Sequence, residues 1–168
     1  YYGPSSGSNN GKAFWCVAGK YSTGGATICS LCVPGSYQKS IAQSACVPAP
    51  AGSFAPLSGE TDIDPAQPGY FIATAGAKFG NATACPVGAY SGSGATVCTI
   101  CAEGKFNGKQ GQKGCVPCEA GYFANVASSA CTPAPPGSFV NSSTPGVPSP
   151  KPVPPGYYNP SLGGTQAK

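Results

Sequence analysis

A single short phrase runs through the whole chain: glycine, one variable residue, then an aromatic. It occurs at Gly19-Lys20-Tyr21, Gly35-Ser36-Tyr37, Gly52-Ser53-Phe54, Gly69-Tyr70-Phe71 and Gly88-Ala89-Tyr90. It returns at Gly104-Lys105-Phe106, Gly121-Tyr122-Phe123, Gly137-Ser138-Phe139 and Gly156-Tyr157-Tyr158. Successive glycines stand 16 to 19 residues apart, and Tyr1-Tyr2 reads as the same phrase without its glycine. About ten tandem units therefore fill the 168 residues. A unit this short cannot enclose a core of its own, since chains below about 40 residues need cross-links, metals or association to fold. The composition agrees. Leu, Ile, Val and Phe supply only 25 residues, against 44 for Gly and Pro together. Charged residues are 8% and the net charge is +4, so charge-driven disorder is not the explanation.

A longer repeat lies above the short one. Cys16, Cys29, Cys32 and Cys46 recur 69 residues on as Cys85, Cys98, Cys101 and Cys115. The phrase CVPAPAGSF (46–54) returns as CTPAPPGSF (131–139), so the second block carries one extra unit with Cys118 and Cys131. Residues 1–68 form a first block of four units. Residues 69–155 form a second block of five, including a proline-rich stretch at 132–155. Residues 156–168 open a third block, and neither end carries a recognisable capping unit.

Ten cysteines in short loops read as a disulfide framework. Pairing each loop to itself gives Cys16–Cys29, Cys32–Cys46, Cys85–Cys98, Cys101–Cys115 and Cys118–Cys131, with no cysteine left over. Absent cysteines obey the same rule, because Ala49 and Ile63, Ala66 and Ala82, and Ala134 and Pro150 stand where both members of a pair are missing. Zinc or redox chemistry at Cys29-Ser30-Leu31-Cys32, Cys98-Thr99-Ile100-Cys101 and Cys115-Val116-Pro117-Cys118 is the rival. Such a scheme strands Cys16, Cys46, Cys85 and Cys131. Closing a loop of about 15 residues is worth about 3 kcal/mol in the entropy model, and that local gain stands in for a core.

The segments CVAGKYSTGGATICSLC (16–32) and CPVGAYSGSGATVCTIC (85–101) resemble the cysteine-rich repeats of ephrin-receptor-like and tumour-necrosis-factor-receptor-like extracellular proteins. The resemblance implies an extracellular module whose Cys-x-x-Gly-x-Tyr loop closes on itself, and it carries over no ligand-contact residue. The three cysteine-free loops and the proline tracts depart from that pattern.

Each unit reads as a small hairpin. Glycine suits a turn at positive φ or a close backbone approach, the aromatic opens a short strand, and stretches such as STGGAT (22–27) lead back to cysteine. The expected fold is small and disulfide-rich, mostly irregular with short β-hairpins, an elongated tandem array without a large hydrophobic core. Ten rings occupy the repeat position: Tyr2, Tyr21, Tyr37, Phe54, Phe71, Tyr90, Phe106, Phe123, Phe139 and Tyr158. They are expected to form a structural ladder, each ring on its neighbour's disulfide or proline; a carbohydrate-binding platform is the functional alternative.

Asn81 and Asn141 head N-glycosylation sequons. Nine of the 24 residues from Thr132 to Pro155 are proline, which predicts extended polyproline II. This tract looks like the hydroxyproline-rich glycoproteins of plant and algal walls, which makes Pro133, Pro135, Pro145, Pro148, Pro150 and Pro154 candidates for hydroxylation and O-glycosylation. A bare stiff spacer is the plainer reading. Glu60, Asp62 and Asp64 form an acidic turn that lacks a calcium-loop pattern. Lys105, Lys109 and Lys113 lie together in one loop, a solvated face or a contact for anionic polysaccharide.

The chain has no histidine and no arginine, so Ser-His and Cys-His relays and His-containing metal sites are excluded. Nine lysines do not make the clustered basic face that nucleic acid demands, and no apolar run reaches a membrane span. No catalytic residue, metal site or cofactor is expected. The composite expectation is a non-enzymatic structural subunit of a secreted fibre or matrix, whose partners are copies of itself, covalent glycans and other matrix proteins or polysaccharide. The alternative is a stalk or ligand-binding ectodomain of a cell-surface receptor or adhesin.

Overall fold

A computed structural model describes residues 13–140 and 149–165. These contain no helix; sixteen two-residue strands pair into eight antiparallel hairpins. The chain divides into two compact units. The first comprises residues up to Gln67 with Phe71–Thr83 and Ser93–Val97. The second comprises Pro68–Tyr70, Ala84–Gly92 and the chain from Cys98 onward.

In the first unit Lys20–Tyr21 pairs with Ser30–Leu31, Ser36–Tyr37 with Val47–Pro48, and Ser53–Phe54 with Asp64–Pro65. In the second, Ala89–Tyr90 pairs with Thr99–Ile100, Lys105–Phe106 with Val116–Pro117, and Tyr122–Phe123 with Thr132–Pro133. Ser138–Phe139 pairs there with Lys151–Pro152, and the eighth hairpin joins Tyr70–Phe71 to Thr83–Ala84. The aromatic of the repeat thus always ends the first strand.

Proline in a strand would ordinarily break the pairing. Here it falls opposite the variable residue of the repeat, as in Ser36↔Pro48, while the flanking Ala49 N–H donates to Gly35 O at 2.9 Å. The missing N–H is one the two-stranded pairing never uses. This corrects the expectation of polyproline II at two positions of 132–155: Pro133 and Pro152 both lie in strands, with Ala134 N–H donating to Gly121 O and Val153 N–H to Gly137 O.

One scheme of backbone hydrogen bonds ties the hairpins together within each unit. The repeat glycine N–H donates to the carbonyl just after the next ring, as Gly35 to Ala55 and Gly52 to Ile72 in the first unit, and Gly88 to Asn107 and Gly104 to Ala124 in the second. The residue after each ring donates into the next return loop, as Gln38 to Glu60 and Asn107 to Ser128. Left-handed residues in the return loops donate back to the preceding hairpin, as Gly59 to Cys32 O, Gly76 to Ala49 O, Gly111 to Cys85 O and Ala127 to Cys101 O.

Six repeat glycines, Gly19, Gly35, Gly52, Gly69, Gly88 and Gly121, are required by more than their φ, whereas a Cβ on Gly137 or Gly156 would meet nothing within 4 Å. A Cβ on Gly35 would land on the carbonyl of Gly76, two hairpins further on, and Gly52 is likewise pressed against Gly94 O. In the second unit Gly69 meets Gly111 O and Gly121 meets Gly163 O. Backbone contacts therefore skip a hairpin, whereas a simple string would touch only its nearest neighbours.

The buried position of each unit is the residue after the ring: Ser22, Gln38, Ala55, Ile72, Ser91, Asn107, Ala124, Val140 and Asn159. Polar side chains there find partners. Ser91 Oγ donates to Tyr70 O at 2.9 Å, Asn107 Nδ2 to Ala89 O at 2.7 Å, and Asn159 Nδ2 to Ser138 O at 3.0 Å. Gln38 Nε2 instead donates to Ala45 O at 2.8 Å within its own loop. Among the described residues no buried side-chain polar atom lacks a partner. Asn107→Ala should destabilise the fold by about 2 kcal/mol, since it strands the Ala89 carbonyl and frees Lys109 N–H from Asn107 Oδ1. Chemical denaturation with the disulfides intact reads this directly.

Candidate functional surface

All ten cysteine sulfurs are consumed in cross-links. The bonds are Cys16–Cys29, Cys32–Cys46, Cys85–Cys98, Cys101–Cys115 and Cys118–Cys131, with Cα atoms 5.7 to 5.8 Å apart. Each Cys-x-x-Cys is the junction between one loop and the next, with no thiol left to bind metal or exchange electrons. The first half-cystine of every loop is fully buried, and where the cysteine is replaced, Ala49, Ala66 and Ala134 are buried at the same place.

Loss of the cross-links is compensated in the first unit. Ala66, Ile72 and Ala77 form a buried apolar cluster with Phe54 and Ala82 packed on it, spanning the two consecutive loops that lack cysteine. Phe79 adds an edge-on contact to Phe54, with ring centroids 6.5 Å apart. Burying an Ile side chain contributes about 1.5–3 kcal/mol, comparable with one closed loop.

Two shallow grooves, one in each unit, share a lining pattern. One of about 290 Å³ is lined by Tyr21, Val33, Ser36, Ala45 and Cys46. Another of about 260 Å³ is lined by Phe106, Val116, Pro117, Glu119, Tyr122 and Cys131. In both, the ring of one hairpin faces the variable residue and second cysteine of the next. A third, of about 360 Å³, sets Trp15 beside Val17, Lys20, Ile28 and Cys29. The repeat rings from Tyr21 to Phe139 are half-buried and Tyr158 is exposed.

The remaining candidates are dispersed. Asn81 is exposed, and its Oδ1 accepts from Lys78 N–H at 3.0 Å, a bond that leaves out Nδ2, the atom that a glycan would take. Pro135 and Pro154 are exposed, and Pro133 and Pro150 are half-buried. Tyr2, Asn141, Pro145 and Pro148 lie outside the described residues. Asp62 Oδ2 is 3.9 Å from Lys39 Nζ, both side chains largely in solvent, a pair worth little. Among the described residues no cluster of three or more Cys, Asp or Glu is placed to hold a metal, and no helix is long and apolar enough to cross a membrane.

Sequence reasoning ranked the rings first and missed the residue that follows them. Its chemical variety, from Ile72 to Asn107, hides it from any search for an apolar period. Its fixed offset from the repeat glycine was the available signal.

No curated protein matches the chain. Residues 19–64, about a quarter of the chain, match the family model described as tyrosine-protein kinase ephrin type A/B receptor-like. The match begins at a repeat glycine and spans Cys32–Cys46 together with the cysteine-free loop that follows. Over this segment the chain is similar to a cysteine-rich, non-catalytic extracellular module, and its disulfides point to the same oxidising location.

Proposed function

We propose that this chain is a structural part of a secreted extracellular fibre or matrix, in which disulfide-stapled hairpins stack on one another and on further copies. The observation that carries this reading is the backbone bonding scheme. Gly19, Gly35, Gly52, Gly69, Gly88, Gly104 and Gly137 each donate an N–H to the carbonyl after the ring of the next hairpin, whatever the side chains. Side-chain-independent stacking accepts further repeats, in one chain or between chains, without a change of rule. Glycans on Asn81 and Asn141, and on hydroxylated prolines such as Pro135 and Pro154, would clothe backbone that no large core hides.

A stalk or ligand-binding ectodomain of a receptor or adhesin is the second reading, favoured by the match over residues 19–64. Electron microscopy of the native material separates the two. Regular filaments with a short axial repeat are expected. Discrete particles that stay dispersed at high concentration would replace the first reading with the second.

A further inference from the structure

The disulfide loop between Cys101 and Cys115 carries Lys105, Lys109 and Lys113, four residues apart and all exposed. Among the described residues none of the three ammonium groups is ion-paired. The loop beneath them is pinned at several points. Asn107, 5% exposed, donates to Ala89 O, and its Oδ1 accepts Lys109 N–H at 3.1 Å. Gly111 N–H donates to Cys85 O at 2.9 Å, and Gln112 O accepts from Ser91 N–H at 3.3 Å. The lysine Cα atoms are thus held in fixed places while the side chains reach into water.

The fold does not call for these charges. The same hairpin closed by Cys85–Cys98 is built from PVGAYSGSGATV (86–97), with no charged residue. The one closed by Cys118–Cys131 carries a single charge, Glu119. Between the lysines lie neutral hydrogen-bonding groups, Gln110 and Gln112, and small glycines. Glu103 is the loop's only carboxylate.

We infer that the 105–113 loop is a binding site for an anionic polysaccharide. Three like charges on one pinned loop would attract the repeating carboxylate or sulfate of such a polymer, and the flanking amides could hydrogen-bond its hydroxyls. Lysine in place of arginine favours a hydrated, exchangeable contact over a bidentate phosphate clamp. Three charges on one loop are fewer than the four to eight of a membrane-binding cluster or the basic stripe of a nucleic-acid surface. The inference takes only the extracellular location from the proposed function and does not need polymerisation.

The test uses the full, disulfide-bonded chain titrated with polygalacturonate and with dextran sulfate, neutral dextran serving as control. Binding to at least one of the two polyanions is expected, with log affinity falling against log salt at a slope of about −2 to −3, by analogy with counterion release. Which polymer binds more tightly tells carboxylate from sulfate. K105Q/K109Q/K113Q should lose at least tenfold in affinity with the disulfide map unchanged. K20Q/K39Q/K78Q, which alters net charge equally, should keep the affinity. Retained binding in the first triple variant, equal loss in the second, or no binding to either polyanion would overturn the inference. So would equal affinity for a DNA duplex or for phosphatidylserine vesicles. None of these results depends on whether filaments form, so the two readings fail separately.

Discussion

Gly35→Ala is expected to destabilise the protein by at least about 3 kcal/mol, whereas Gly76→Ala should cost only about 1 kcal/mol. Both glycines have positive φ, at 90° and 78°. A side chain pays a similar conformational cost at either, so the backbone angle alone predicts equal effects. Space separates them. A Cβ on Gly35 would collide with the Gly76 carbonyl, while a Cβ on Gly76 meets nothing within 4 Å. The protein has already made the mild exchange, because Ala42 and Ala127 hold the return-loop position of Gly76 at φ of 58° and 59°. Denaturant midpoints of the two variants, with cystines intact, read the difference. Equal midpoints would mean that the contact between alternate hairpins contributes nothing.

The second large effect concerns the cross-links. Removing one loop closure, as Cys32→Ala with Cys46→Ala, should cost about 3 kcal/mol. The converse is more discriminating. Ala49→Cys with Ile63→Cys should close a sixth disulfide spontaneously during oxidative refolding and raise stability by about 2–3 kcal/mol. The register supports this: Ser53↔Pro65 and Phe54↔Asp64 repeat the pairing of Ser36↔Pro48 and Tyr37↔Val47, whose hairpin carries Cys32–Cys46. The separation of 14 residues is also the same. Alkylation of intact protein should find no free thiol, and the denaturation midpoint should rise. Two reactive thiols would show that the cysteine-free loops have drifted from the common geometry. At Ala66 and Ala82 the gain should be smaller, since both already pack in the cluster around Ile72.

Much of this architecture is legible because the period is carried by residues with backbone roles. Glycine marks the turn and cysteine the closure, and the two recur at spacings that leave little freedom. Hairpins of two-residue strands follow from that spacing, and so does the absence of a large core. The proline tract was harder. Composition pointed to polyproline II, but Pro133 and Pro152 occupy register positions where no N–H is needed, so the strand survives them. The buried position after each ring was hidden for a related reason. Its environment is set by backbone carbonyls of a neighbouring hairpin, which Ser91, Asn107 and Asn159 satisfy as well as Ile72 or Val140 fills it.

The sequence by itself determined the unit, its length and its hairpin form, since those depend on turns and cross-links between residues close in the chain. Only the tertiary structure decided how units meet. Backbone groups make those contacts, and every residue but proline carries the same N–H and C=O, so no side-chain pattern announces them. The repeat glycine is the one place where the two levels touch: its recurrence was visible in the chain, but the carbonyl pressed against it, from a hairpin two units away, was not.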